Sequence, residues 1–345
     1  MGWWKRTKEW VAGAPQERFT FVDSFSAVEL QIPSLGDPIA GDECYLELYL
    51  ESVRLEKARR FATTFNGVVY SFLDLAREGE ENIELAAVSR PNKLADLDDS
   101  NLGRVITISR EMTGPIAYRG GKVGLEIALV SVKSENLLKG TLDYILDVSS
   151  VAGASYLTAI KPFVPLIDKG MDLISGQSRD VAIEVGYASD RKPEKAFVAA
   201  MIEAPAETYE ESAFSIDREG RLLNQGREVG HSHAVFSVRA TKKKHDYGEI
   251  PELKAAFSEL QKGLRTRKYT VAEEALAAFK VAVYTSVDLI TSDQDDLVAK
   301  AQARFDRIFP EGGSAGPTDP LPASAAQRGA AGIDENSLYS LQLYD

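Results

Sequence analysis

The amino-acid sequence predicts an α+β protein, and three observations carry that reading. Residues 19–133 hold short β-branched and aromatic runs separated by turn residues, the apolar spacing becomes helical near 135, and well-patterned helices follow Pro251. The expected architecture is a β-rich, sandwich-like N-terminal domain, a central helical pair, a second and smaller β-rich segment, and a C-terminal helical bundle. In residue numbers these are a Trp-rich basic segment over 1–14, the β-rich domain over 15–133, and the helical pair over 134–176. The second β-rich segment covers 177–250, the three helices 251–310, and a flexible tail 311–345.

All three tryptophans, Trp3, Trp4 and Trp10, fall within the first ten residues, interleaved with Lys5, Arg6 and Lys8. Tryptophan combines a large apolar surface with one polar handle, so it favours cores, interfaces and membrane headgroup zones. A short helix ending before Pro15 is expected here, docked on its own body, on a partner or on a lipid surface. It does not read as a signal peptide, because Lys5, Arg6, Lys8 and Glu9 leave no apolar stretch. The myristoylation pattern fails as well, since Arg6 stands where Ser or Thr is needed.

Strands are expected over 43–55, 61–75, 83–88, 104–109 and 123–132. The first of these carries Tyr45, Leu46, Leu48, Tyr49, Leu50, Val53 and Leu55. Gly36-Asp37-Pro38, Glu78-Gly79-Glu80, Pro91-Asn92, Gly114-Pro115 and Gly120-Gly121 supply the turns between them. Leu138, Leu142, Ile145 and Leu146 then fit one helix. Ile160, Phe163, Val164, Ile167, Met171 and Ile174 fit a second, kinked near Pro162 and Pro165 and ended by Gly176.

Strand patterning returns at 181–188, 196–202, 214–216, 221–223 and 234–240, with a hairpin turn at Asp217-Arg218-Glu219-Gly220. After Pro251, Leu253, Ala256, Phe257, Leu260 and Leu264 form an apolar stripe. Thr270 and Glu273 have capping-box spacing for a next helix whose Ala275, Ala278, Ala282 and Val283 face inward. Ser292 is placed to cap a third helix carrying Leu297, Ala301, Phe305 and Ile308, stopped by Pro310. Gly, Pro, Ala and Ser then make a tether to about Gly332, ahead of a docking-peptide candidate with Leu338, Tyr339, Leu341, Leu343 and Tyr344.

The net charge of -12, from 52 acidic against 40 basic residues, argues against nucleic acid as the main ligand. The one cysteine, Cys44, rules out an intramolecular disulfide and is expected to be a buried, inert thiol in a reducing compartment. No uncharged run approaches the ~20 residues a bilayer requires. The cytoplasm is the simplest expected location.

Catalytic motifs are scarce. His231 and His233 flank Ser232 at a strand entrance, where residues two apart share a face, so they form a weak metal-ligand pair lacking a third ligand. His245 follows Lys242, Lys243 and Lys244, an anion-binding candidate in an acidic chain. The loop with Asp96, Asp98, Asp99 and Asn101 misses helix-loop-helix calcium spacing and reads as a solvated loop. Gly120-Gly121-Lys122 lacks the phosphate-loop pattern, and no G-x-S-x-G nucleophile elbow occurs. Tyr118 and Arg119, beside a glycine turn, have the composition of an interface hot spot.

These features predict a non-catalytic interaction or scaffold component of a larger cytoplasmic assembly. It would bind protein partners or itself through its termini and use no cofactor. The alternatives are a peripheral protein on an anionic membrane surface, held by the Trp/Lys/Arg segment, and a metal-dependent hydrolase using His231 and His233.

Overall fold

A computed structural model describes residues 20–56, 59–60, 63–64, 66–75, 83–88, 105–132, 181–244 and 247–310. The readings made above on the Trp/Lys/Arg segment, the Asp96–Asn101 loop, the central helical pair, His245 and the tail with its Leu/Tyr peptide lie outside the described residues.

The strands are β1 (Thr20–Asp23), β2 (Tyr45–Arg54), β3 (Arg59–Arg60), β4 (Thr63–Thr64), β5 (Asn66–Leu75), β6 (Ile83–Val88) and β7 (Val105–Ala117). They continue with β8 (Val123–Val132), β9 (Val181–Arg191), β10 (Phe197–Ile202), β11 (Phe214–Ile216), β12 (Leu222–Asn224), β13 (Arg227–Glu228) and β14 (His233–Thr241). Three helices follow: α1 (Pro251–Thr266), α2 (Tyr269–Tyr284) and α3 (Thr291–Ile308). The mixture is α+β, with antiparallel sheets, as the sequence predicts.

The two β-rich stretches of sequence share their sheets. A five-stranded sheet runs β1-β10-β14-β2-β7, so β10 and β14 lie between strands from the first stretch. A four-stranded sheet runs β6-β5-β8-β9, and there β9 pairs with β8 along its length. Leu46, Leu48, Leu50, Val53, Met201 and Phe236 of the larger sheet share one apolar core with Leu73, Leu75, Leu125, Ile127 and Leu129 of the smaller. Cys44 is a free, buried thiol in that core, as expected.

The opposite face of the five-stranded sheet is covered too. Val22, Val198, Ala200, Ile202 and Val235 pack beneath Phe214, Ile216, Leu222 and Val229 from the small β11-β12-β13 sheet and its flank. The Asp217–Gly220 turn joins β11 to β12 as a hairpin, closed by the Gly220 amide on the Asp217 carbonyl at 3.1 Å.

One expected turn is strand instead. Gly114-Pro115 sits inside β7, which the sequence reading ended near Ser109. Thr113 and Ile116 oppose Leu48 and Leu46, so β7 carries an extra residue there, in a bulge. A bulge tolerates proline because it removes the demand for a ladder N–H.

The helical grammar is right in outline and shifted in detail. α1 buries Leu253, Phe257, Leu260 and Leu264. α2 begins at Tyr269, one residue before Thr270, so Thr270 lies inside the helix and the capping box does not form. The Tyr269 ring stands edge-on to Phe305 and Phe309, at 5.6 and 5.7 Å, which anchors that first turn by packing. The buried stripe is Ala272, Leu276, Phe279 and Val283, while Ala278 is exposed and Ala275 and Ala282 are partly buried. Ser292 likewise falls inside α3. The cap position belongs to Ile290, fully buried against Tyr45 and Ala117.

Where α1 crosses α2, Gly263 lets the backbones approach. A Cβ there would lie 3.0 Å from Ala275 Cβ and 3.3 Å from Ala272 Cα. Gly263→Val is therefore expected to lower stability by ~1–3 kcal/mol through overpacking, read by urea unfolding. An unchanged midpoint would show that the helices separate freely.

Candidate functional site

The helices are fastened to the sheets by polar groups at one end of β2. Tyr45, its first residue, is fully buried. Its hydroxyl donates to Asp293 Oδ2 at 2.6 Å and accepts from the Ile290 amide at 3.1 Å. Asp293 Oδ2 also accepts from the Lys244 amide at 3.1 Å. Burial, reinforced by Asp293, pushes the Tyr45 hydroxyl far above its usual range, so it remains a donor.

Arg119 closes the same junction. Its guanidinium pairs with Asp42, and Nη2 donates to the carbonyls of Ser286, Val287 and Leu289 at 3.3, 3.2 and 2.6 Å. Those carbonyls lie in the connection between α2 and α3. Tyr118 is buried, and its hydroxyl donates to the Gly121 carbonyl at 2.7 Å. Tyr118 therefore packs internally, while Arg119, partly exposed, spans the junction.

The lysine patch is likewise incomplete. Lys242 and Lys243 are exposed, but Lys244 is buried, with Nζ donating to the Pro115 carbonyl at 2.6 Å. The three lysines therefore do not present one anion-binding surface.

His231 and His233 have different surroundings. Tyr209 Oη and His231 Nδ1 lie 2.5 Å apart, with the two rings nearly perpendicular at 84°. His233 is fully buried in β14, its Nδ1 on the His231 carbonyl at 2.9 Å and its Nε2 sealed without a partner. Burial depresses its pKa to about 4. A neutral ring held this way presents no nitrogen to an incoming ion. Among the described residues, no cluster of three or more His, Cys, Asp or Glu is arranged to hold a metal.

A buried ion pair escaped the sequence reading. Strand alternation places Glu51 on the face of β2 opposite Leu46, Leu48 and Leu50, at the point where the β2–β14 register shifts. Arg239 Nη2 donates to Glu51 Oε1 at 2.7 Å, Ser237 donates to the same oxygen, and the guanidinium stacks 3.6 Å over the Tyr49 ring. The three groups satisfy one another.

The unusual surface lies on α2. Among the described residues the exposed large hydrophobics are Val28, Val271, Val281 and Tyr284, and three of these four belong to this one helix. At 3.6 residues per turn, Val271, Ala277, Ala278, Val281 and Tyr284 occupy the arc opposite Ala272, Leu276, Phe279 and Val283. Glu273 and Glu274 are the charged residues on that outer arc. Apolar residues on both faces are unusual for a surface helix, and here the outer ones face solvent. The signal was present in VAEEALAAFKVAVY, where apolar residues crowd both faces.

No protein-family model, curated protein or solved structure matches this chain. The site must therefore be judged on its own chemistry.

Two measurements check these assignments. Tyr45→Phe strips a hydrogen bond from both Asp293 and the Ile290 amide, and should cost ~1.5–3 kcal/mol in denaturant unfolding; no loss would remove the junction's role. For His233, the unfolded ring gains a proton near its ordinary 6.5, while the folded ring resists protonation down to about 4. Stability from this group is therefore complete above pH 6.5 and falls by about 1.4 kcal/mol per unit as pH drops through that window. His233→Asn should flatten that part of the stability–pH curve, and an unchanged slope would assign it to other groups.

Proposed function

We propose that this protein is a non-catalytic interaction component of a larger cytoplasmic assembly. The outer face of α2 is its principal docking surface. The observation that carries this reading is the concentration of exposed Val271, Val281 and Tyr284 on one helix whose other face is already buried. Burying a side chain of this size contributes ~1.5–3 kcal/mol, and tyrosine is enriched among residues that dominate binding energy.

In this reading the sandwich-like β body is a rigid base, and the C-terminal bundle is the element it presents. The Tyr45–Asp293 and Arg119 contacts support that division. They hold the bundle at a set position, so a partner on α2 meets a preorganised surface and loses little entropy in ordering it.

Val281→Glu combined with Tyr284→Glu changes only exposed positions, where substitutions typically shift stability by within ~0.5 kcal/mol. Purified from its native cells, the double variant should lose components that the wild type retains, while Val28→Glu keeps them. Full retention by the double variant overturns the reading.

A further inference from the structure

We infer that the β body carries a binding site for a small amphipathic carboxylate, a ligand with one anionic head and a short hydrocarbon chain. The assignment is independent of the docking role given to α2. It starts from the way the chain passes between the two large sheets. Arg191 ends β9 in the four-stranded sheet and Phe197 begins β10 in the five-stranded sheet, so residues 192–196 bridge them. Two cavities meet along this bridge and share Arg191, Pro193 and Phe197.

The inner cavity is a slot of about 30 Å³ between the sheets. On the larger sheet Phe197, Val238 and Leu48 line it as register neighbours, and on the smaller sheet Leu73 pairs with Leu125. Apart from Arg191 and Glu47 its walls are apolar. A water needs ~10–15 Å³ and polar partners to settle. This slot has the room without the partners, so the end of a hydrocarbon chain is its matched occupant.

The outer cavity, about 510 Å³, has the size of a small-molecule site. Phe25 and Leu35 line it together with Arg191, Lys192 and Lys195. Backbone contacts fix its shape. The Ile39 amide donates to the Glu194 carbonyl at 2.9 Å, the Gly36 amide to the Ala196 carbonyl at 3.0 Å, and the Ala196 amide to the Asp37 carbonyl at 2.8 Å. A groove held this way loses little entropy when it is filled.

Charge selects the head. Arg191 pairs with Asp23, and its guanidinium lies 4.6 Å from the centre of the Phe197 ring. Lys192 and Lys195 are exposed and have no carboxylate partner among the described residues. Glu194 is the acidic residue of the groove. Two unpaired ammonium groups against one carboxylate leave a single positive charge in excess, in a chain of net charge -12. That excess suits a monoanion. Its head lies among the lysines, and its chain passes Pro193 and Phe197 into the slot.

Calorimetric titration of the full chain with butanoate, hexanoate, octanoate and 1-octanol tests the assignment. Octanoate should bind at one site per chain. Affinity should rise about threefold to fourfold for each methylene added after butanoate, and 1-octanol should bind about tenfold more weakly than octanoate. Lys192→Glu combined with Lys195→Glu changes exposed positions only. With unchanged circular dichroism, this double variant should weaken octanoate about tenfold. Absence of octanoate binding, equal affinity across the chain lengths, equal affinity for octanol, or full affinity in the double variant overturns the proposal.

Discussion

The central strands of the five-stranded sheet are covered on both faces, and the polar chemistry of the molecule follows from that burial. All but the last residue of β14 are buried, although the strand contains His233, Ser237 and Arg239. A polar group removed from water costs several kcal/mol unless it is hydrogen-bonded, and a charge costs more. Arg239 and Ser237 accordingly meet on Glu51, while His233 has only Nδ1 on the His231 carbonyl and keeps its sealed ring neutral. Ser52, on the neighbouring strand, donates to the Gly220 carbonyl at 2.7 Å and so ties the small hairpin down. Residues that look chemically interesting in the sequence are largely consumed in making a two-faced sheet possible.

The same constraint shapes the junction with the helices. Tyr45 begins a strand whose outer face must be covered, and its hydroxyl meets the first turn of α3 through Asp293 and the Ile290 amide. A carboxylate there is favoured by the helix dipole as well as by the phenol. Arg119 performs the matching task on the α2–α3 connection, where a planar guanidinium suits several converging carbonyls better than a lysine would. With both contacts made, the inner faces of α1, α2 and α3 are satisfied by one core. The outer face of α2 then keeps Val271, Val281 and Tyr284 exposed on a firmly held helix.

Much of the fold was legible from residue patterns. Strand-forming composition bounded by turns located β6, β8 and β11 to the residue, because strand propensity and turn chemistry are recorded directly in short windows. The stripe of α1 was equally plain. Legibility failed where packing displaced local preference. Thr270 has the chemistry of a cap, but the aromatic contacts of Tyr269 start α2 one residue earlier. Gly114-Pro115 has the chemistry of a turn, but the partner strand β2 continues past it and absorbs the pair as a bulge. Lys244 and His233 could not be recognised as internal residues, since nothing in their neighbours states which strand or helix will cover them.

Residue order alone determined the alternation of β and α segments, the acidic charge balance, and the gathering of indoles and basic side chains in residues 1–12. These are properties of short windows, and short windows report period, charge and turn chemistry. Tertiary structure decided that the two β-rich stretches interleave in the same sheets, that Glu51 and Arg239 meet across a bulge, and that α2 keeps an apolar face in water. Each of those depends on partners tens to hundreds of residues away. Burial is a property of the assembled surface, which no local run of sequence encodes.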